Sequence, residues 1–229
     1  MPLTYMSNNV IPVISFIGWH NSGKTTLIRK VIKELSLMGI KTGIIKGTKH
    51  EDIYINKKGS DSDLYREDGI ETVSLVTPKE ILTIQDNKEQ PLDYLLFKLF
   101  SNSDVDLIIA EGFKHAPFIP KIEVARAAIS KELIKNSINN IKAIVSDFPV
   151  DFEPNFTFNQ TKEIASFILE NFINAEQDNF IEVFADGKRL PLKNFVKDAM
   201  RGTFLGFLSS LNFTDNVKNF EIKIKNYDQ

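Results

Sequence analysis

Residues 18–25 read Gly-Trp-His-Asn-Ser-Gly-Lys-Thr, the pattern G-x-x-x-x-G-K-T, set between an apolar run at 13–17 and a helix-spaced run that begins at Lys24. Few short stretches restrict a fold more. A loop between strand and helix can wrap its backbone N–H groups around a phosphate chain only where side chains do not obstruct it, and Gly18 and Gly23 leave that room. The helix that follows aims the positive end of its dipole at the same anion. Within such a loop Lys24 meets the β- and γ-phosphates, and Thr25 sets its hydroxyl on a magnesium ion (Mg2+). His20, Asn21, Ser22 and Thr26 fall inside the same phosphate-holding stretch, with Trp19 and His20 at its variable positions. The motif indicates a nucleoside triphosphate and is silent on adenine versus guanine.

The rest of the chain alternates in the way such a loop requires. Apolar residues Leu27, Ile28, Val31, Ile32 and Leu35 predict a helix over 24–38 that ends at Gly39. Strands are predicted at 42–46, 72–76, 81–85, 106–110, 120–125 and 141–145, and helices at 91–100 and 161–172, with a polar loop and a short helix over 47–69. This order predicts an α/β fold, a P-loop NTPase with a mostly parallel sheet and helices on both faces. A polar break at 173–179 divides a nucleotide-binding domain, 1–174, from a small α+β C-terminal extension, 175–229. In the extension a strand at 180–185, a turn at Asp186-Gly187, a helix over 191–211 and a strand at 220–225 are expected. Phe195, Phe204, Phe207, Leu208 and Leu211 give its helix an apolar face.

Composition narrows the partners. A formal net charge of −2 gives no overall basic field for nucleic acid or an anionic membrane surface. With no cysteine, the chain excludes disulfides and thiolate metal sites, and it fits a reducing compartment. The first residues, MPLTYMSNN, lack the pattern of a secretory leader, and no apolar run reaches the ~18–20 residues of a membrane span. The expectation is a soluble, cytoplasmic protein.

A phosphate loop needs an acidic group near its metal, at the carboxyl end of a neighbouring strand. Glu111 stands there, after the apolar run 107–110, on the ligand side of a parallel sheet. Asp106, at the opposite end of that strand, reads as a solvated cap. Gly112 allows close approach of a phosphate, and Lys114 adds positive charge. Asp147 follows the strand at 141–145; a carboxylate there can accept the N1 and N2 protons of guanine, or else cap a helix ahead of Pro149. Lys121 and Arg126 offer positive charge for the phosphate of a ligand or serve ordinary surface roles. His20, His50 and His115 lie on loops predicted at one edge of the sheet, without the i, i+4 spacing of a helical metal site.

Four segments carry a resemblance: GWHNSGKTT, GIIKGTKHEDIYINKKGSDSDLYREDG, IIAEGFKHAPFIPKIEVAR and AIVSD. Over residues 11 to about 172 the chain resembles the MobB family, small P-loop proteins of molybdopterin guanine dinucleotide biosynthesis. The resemblance implies binding of GTP with Mg2+, weak hydrolysis, and assistance to a molybdenum cofactor guanylyltransferase (MobA-like) that attaches GMP to molybdopterin. It also implies a homodimer and contact with molybdopterin. Two departures qualify the carry-over. Where the family has K-H-x-H-H, this chain reads Lys46-Gly47-Thr48-Lys49-His50, so no role of the missing histidines transfers. Where the family has D-x-x-G-K-D-S, it reads Asn56-Lys57-Lys58-Gly59-Ser60-Asp61-Ser62, which keeps Asp61 as the residue of that loop to order against phosphate and magnesium. Two rival classes stand beside the adapter reading. A small-molecule kinase would want an arginine-rich lid, and the arginines here are scattered at 29, 66, 126, 189 and 201. A metal-delivery GTPase would want more histidine, cysteine or clustered acid.

Overall fold

Val13–Ile17, the strand leading into the glycine loop, lies in the middle of a six-stranded parallel sheet. The computed structural model describes residues 11–48, 59–88, 90–101, 103–174, 181, 183–186 and 188–211. In chain order the first elements are β1 (Val13–Ile17), α1 (Lys24–Leu37), β2 (Thr42–Lys46) and α2 (Asp61–Glu67). They are followed by β3 (Thr72–Val76), β4 (Ile81–Gln85), α3 (Leu92–Phe100), β5 (Leu107–Glu111) and β6 (Lys121–Ala125). After a 3-10 turn at Ile134–Asn136 come β7 (Ile141–Ser146), β8 (Asn155–Phe156) and α4 (Thr161–Ile168), which continues as a π-helical turn, Leu169–Ile173. The short strands β9 (Phe184–Ala185) and β10 (Lys188–Arg189) and the helix α5 (Asn194–Ser209) close the described chain.

The sheet runs β2-β5-β1-β6-β7-β8, with every neighbouring pair parallel. Strands covered on both faces read as unbroken apolar runs, and β5 and β6 are buried through almost their whole length. On one face Leu27, Ile28, Val31 and Leu35 of α1 and Ile164 and Ile168 of α4 pack on Ile14, Phe16, Ile109 and Val124. The other face is thinner: Leu92 and Leu96 of α3 cover Val13, Ile45 and Ile108. Helices on both faces are therefore present as expected, and all six carboxyl ends point to one edge.

Differences from the sequence reading have local causes. Residues 77–80 join β3 to β4 through a turn closed by Thr77 N–H donating to Glu80 O, 2.9 Å. A connection that short permits only antiparallel pairing, so β3 and β4 form a separate hairpin outside the parallel sheet. The short strand β8 has too little apolar pattern to be foreseen. In the C-terminal segment β9 pairs antiparallel with β10, and Phe184 stacks on Phe97 and meets Tyr94 edge-on, which docks the hairpin on α3. The strand expected at 220–225 lies outside the described residues.

A candidate phosphate loop at the carboxyl edge of the sheet

Gly18 leaves β1 at φ 156°, and a Cβ there would stand 2.3 Å from the Val124 carbonyl oxygen and 2.7 Å from Ser22 Oγ. The loop lies so close under β6 that no side chain fits. Asn21 (φ 60°) and Gly23 (φ 91°) are left-handed and bend the chain back, while Ser22 N–H donates to Trp19 O. The curl ends at α1, whose first backbone bond is Leu27 N–H to Gly23 O. No side chain caps this helix, and its first turn has no acidic residue. The N–H groups of a first turn have no partners within the helix, so an anion is their natural complement. Ser22 is fully buried, and its hydroxyl has no hydrogen-bond partner. An uncapped helix start and an orphaned hydroxyl in one curled loop fit a phosphate group.

The lysine and the acidic pair complete this side. Lys24 Nζ folds back to donate to Gly18 O (3.0 Å) and Trp19 O (2.7 Å). Partial burial pulls its pKa below the usual lysine value; Glu111 opposes that shift and Lys46 adds to it. Thr25 Oγ1 donates to Glu111 Oε1 at 2.7 Å, and the same Oε1 lies 3.3 Å from Lys46 Nζ. The parallel register explains the meeting, since Lys46 ends β2 directly opposite Glu111 at the end of β5. Ser15 Oγ also donates to Gly112 O, pinning the turn after Glu111. A hydroxyl and a carboxylate side by side are hard oxygen donors of the kind magnesium takes, usually one or two from protein with the rest from phosphate and water. Lys46 is a site residue that sequence reasoning did not assign; its place at a strand's carboxyl end was the available signal.

On the opposite side of the loop, Arg126 follows β6 with Cζ 4.4 Å above the centre of the Phe158 ring. Both groups press on Gly23: a Cβ there would meet Arg126 Nη2 at 3.1 Å and Phe158 Cε1 at 3.6 Å. Asp147 Oδ1 accepts from Ala127 N–H at 2.7 Å, so this carboxylate ties the end of β7 to the residue after Arg126 rather than capping a helix. Trp19 Nε1 reaches Glu132 O at 3.0 Å. The segment holding Glu132 is anchored from beneath by Glu123, a fully buried carboxylate accepting from the N–H groups of Ile134 and Lys135. Burial pushes the Glu123 pKa up, and the two backbone bonds counter it.

Lys121 requires a correction. It is fully buried, and its ammonium donates to Ala116 O (2.6 Å) and Ile119 O (2.7 Å), facing away from any surface ligand. Asp106, as expected, sits at the far end of its strand, where Oδ2 accepts from Lys41 N–H. Asp61 is exposed at the start of α2 and makes no contact with Lys24, Thr25 or Glu111 among the described interactions. His20, Thr26, Lys114 and His115 are exposed, and His50 lies outside the described residues. Among the described residues no group of three or more histidine, aspartate or glutamate side chains is placed to hold a metal. Gly47, where the family pattern has histidine, lies under the Phe113 ring, which a Cβ would meet at 3.3 Å.

A curled glycine loop between the central parallel strand and an uncapped helix, with a lysine and an acid-paired threonine at its exit, defines a P-loop NTPase-like protein. The chain belongs to the MobB family: the model of molybdopterin guanine dinucleotide synthesis protein B matches residues 13–147. The molybdopterin-guanine dinucleotide biosynthesis adapter protein of Haemophilus influenzae is 33% identical over 169 residues, 73% of this chain and 92% of that protein. A putative adapter of the same description from Methanocaldococcus jannaschii is 27% identical over 236 residues, covering 93% of this chain and 97% of its own, so that alignment runs on into the C-terminal segment. A crystal structure of molybdopterin-guanine biosynthesis protein B superposes with a TM-score of 0.55 and 26% identity, over 69% of this chain and 98% of that one. Among the described residues no helix is long and apolar enough to cross a membrane.

Proposed function

We propose that this chain is a GTP-binding adapter of molybdopterin guanine dinucleotide biosynthesis that assists a guanylyl-transferring (MobA-like) partner. The observation that carries the nucleotide part is the loop itself, with its orphaned Ser22 hydroxyl, uncapped α1 and inward-folded Lys24. Gly18 to Thr26 would hold the phosphates, and Thr25 with Glu111 the magnesium ion. When bound, the magnesium triphosphate supplies a dense charge whose presence or loss a partner can sense. Lys24 gives the positive charge that favours charge build-up on the terminal phosphate, which supports slow hydrolysis. Glu111 and Thr25 would fix the position of that metal. The pathway assignment rests on family membership and on the descriptions of the relatives.

The same reading gives the remaining roles. Asp147 keeps one carboxylate oxygen beyond its bond to Ala127 and stands as the candidate guanine reader. Asp61, the first residue of α2, is the candidate sensor of the terminal phosphate. A homodimer in the cytoplasm, with molybdopterin reaching the partner enzyme beside it, completes the proposal, as does a division at about residue 174. Against the kinase alternative, Arg66 donates to the carbonyls of Ile70 and Glu71 and pairs with Asp86, which commits it to the β3–β4 hairpin. Calorimetric titration of Mg–GTP with and without the guanylyl-transferring partner tests the role. The adapter reading expects the partner to shift GTP affinity; an unchanged isotherm with no complex formed would contradict it.

A further inference from the structure

The residues assigned so far grip phosphate and metal, and the direction in which a nucleotide runs through the site follows from where that metal ligand set stands. Thr25 and Glu111 lie on the β5 side of the loop, and Lys46 of β2 stands beyond them. A magnesium ion held by Thr25 and Glu111 would supply positive charge for the terminal end of a triphosphate. The terminal phosphate therefore belongs on the β5–β2 side, and the nucleoside leaves toward β6, β7 and β8. Three side chains wait at those strand ends: Arg126 after β6, Asp147 after β7 and Phe158 two residues after β8.

Arg126 and Phe158 have the form of a shelf. The guanidinium lies 4.4 Å over the ring, and both are wedged against Gly23, the last residue before the helix. Arg126 Nε is buried without a hydrogen-bond partner, so the group is positioned by stacking and packing there rather than by an ion pair at that nitrogen. Its backbone is fixed: Ile129 and Ser130 N–H both donate to Arg126 O at 2.9 Å, and Asp147 holds the next residue. Both side chains are only partly buried, so part of the pair reaches solvent although Nε itself is covered. A flat cation backed by an aromatic ring is what a nucleobase stacks on.

We propose that Arg126, backed by Phe158, is the nucleobase-stacking shelf of this site, the base of a bound nucleoside triphosphate lying against the solvent-reaching part of the guanidinium. This rests on the phosphate-loop reading above. Stacking tolerates any base, because every base has a π-face. The shelf therefore adds affinity for a nucleoside, while the choice of guanine falls to hydrogen bonds such as those open to Asp147.

The test compares Mg–GTP with Mg–tripolyphosphate, which has the phosphates and no base, by calorimetry on the full chain and on Arg126→Ala, Arg126→Lys and Phe158→Leu. The shelf predicts a loss of GTP affinity of about tenfold for both arginine variants, a smaller loss for Phe158→Leu, and unchanged tripolyphosphate binding. Arg126→Lys keeps the charge and carries the test should Arg126→Ala fail to fold. Equal losses for both ligands would make Arg126 a phosphate ligand, and full GTP binding by Arg126→Lys would show that charge suffices; either result overturns the shelf. If the unaltered chain binds neither ligand, the phosphate-loop reading itself falls, and the shelf with it.

Discussion

Thr25 Oγ1 donates a 2.7 Å hydrogen bond to Glu111 Oε1, joining the first turn of α1 to the end of β5 across 86 positions of sequence. The two oxygens are the proposed protein ligands of magnesium. Replacing either should remove the metal dependence of nucleotide binding more than the binding itself. For Thr25→Val and Glu111→Gln we expect magnesium to improve GTP affinity far less than in the parent, by roughly 10- to 100-fold, the scale of a lost hydrogen bond to a charged group. Titrations with magnesium and with EDTA give the comparison. An undiminished magnesium effect in both variants would remove the pair from the metal site.

Lys24 bridges its own loop through the carbonyls of Gly18 and Trp19. Lys24→Ala should abolish measurable nucleotide binding yet cost the fold only about 1 kcal/mol, the net worth of such bonds. Urea unfolding reads the second quantity. The indole of Trp19, the chain's single tryptophan, lies in the loop and donates to Glu132 O, so its emission reports the first. Emission in Lys24→Ala should stay flat on addition of Mg–GTP.

Gly18→Ala probes the close approach of loop and strand. The added methyl would fall 2.3 Å from a backbone oxygen, which has no side-chain freedom with which to yield. Forced backbone shifts of this kind cost about 1–3 kcal/mol. The thermal midpoint should fall and GTP binding with it, whereas Gly39→Ala, where no atom lies within 4 Å of the new methyl, should leave GTP binding intact.

Glu123 predicts a pH dependence of stability. Its folded pKa is raised above the ordinary 4.5 by burial. Between 4.5 and that raised value the folded chain keeps a proton that the unfolded chain releases, so the contribution is full below pH 4.5 and is lost as pH rises through the folded pKa. Relative to Glu123→Gln, the parent should therefore lose stability from pH 4.5 upward and then level off. Urea midpoints across mildly acidic pH decide it, and parallel curves for the two proteins would show that Glu123 does not titrate in that window.

The parallel sheet, the loop and the acidic partner were legible because each leaves a local trace: apolar runs of strand length, a glycine spacing, and a carboxylate where such a run stops. Lys46 and Arg126 were harder, since their meaning comes from neighbours in the sheet order. Lys46 gains its role only when β2 pairs with β5, and Arg126 only when β6 brings it against Gly23. Lys121 misled for the same reason. Nothing in PKIEVAR distinguishes a lysine turned into the fold from one turned to solvent, yet Lys121 and Glu123 both face inward beneath loops whose backbone they satisfy. Phe158 carries no motif at all and is recognised by its contact with the guanidinium.

Residues 18–26 are proposed to form a magnesium-dependent guanine nucleotide grip. Its most direct test is calorimetric titration of the full chain with GTP and with ATP in the presence of magnesium. Saturable GTP binding is expected, exceeding ATP binding and weakening when EDTA removes the metal. A preference for ATP, or no binding of either nucleotide, would contradict it.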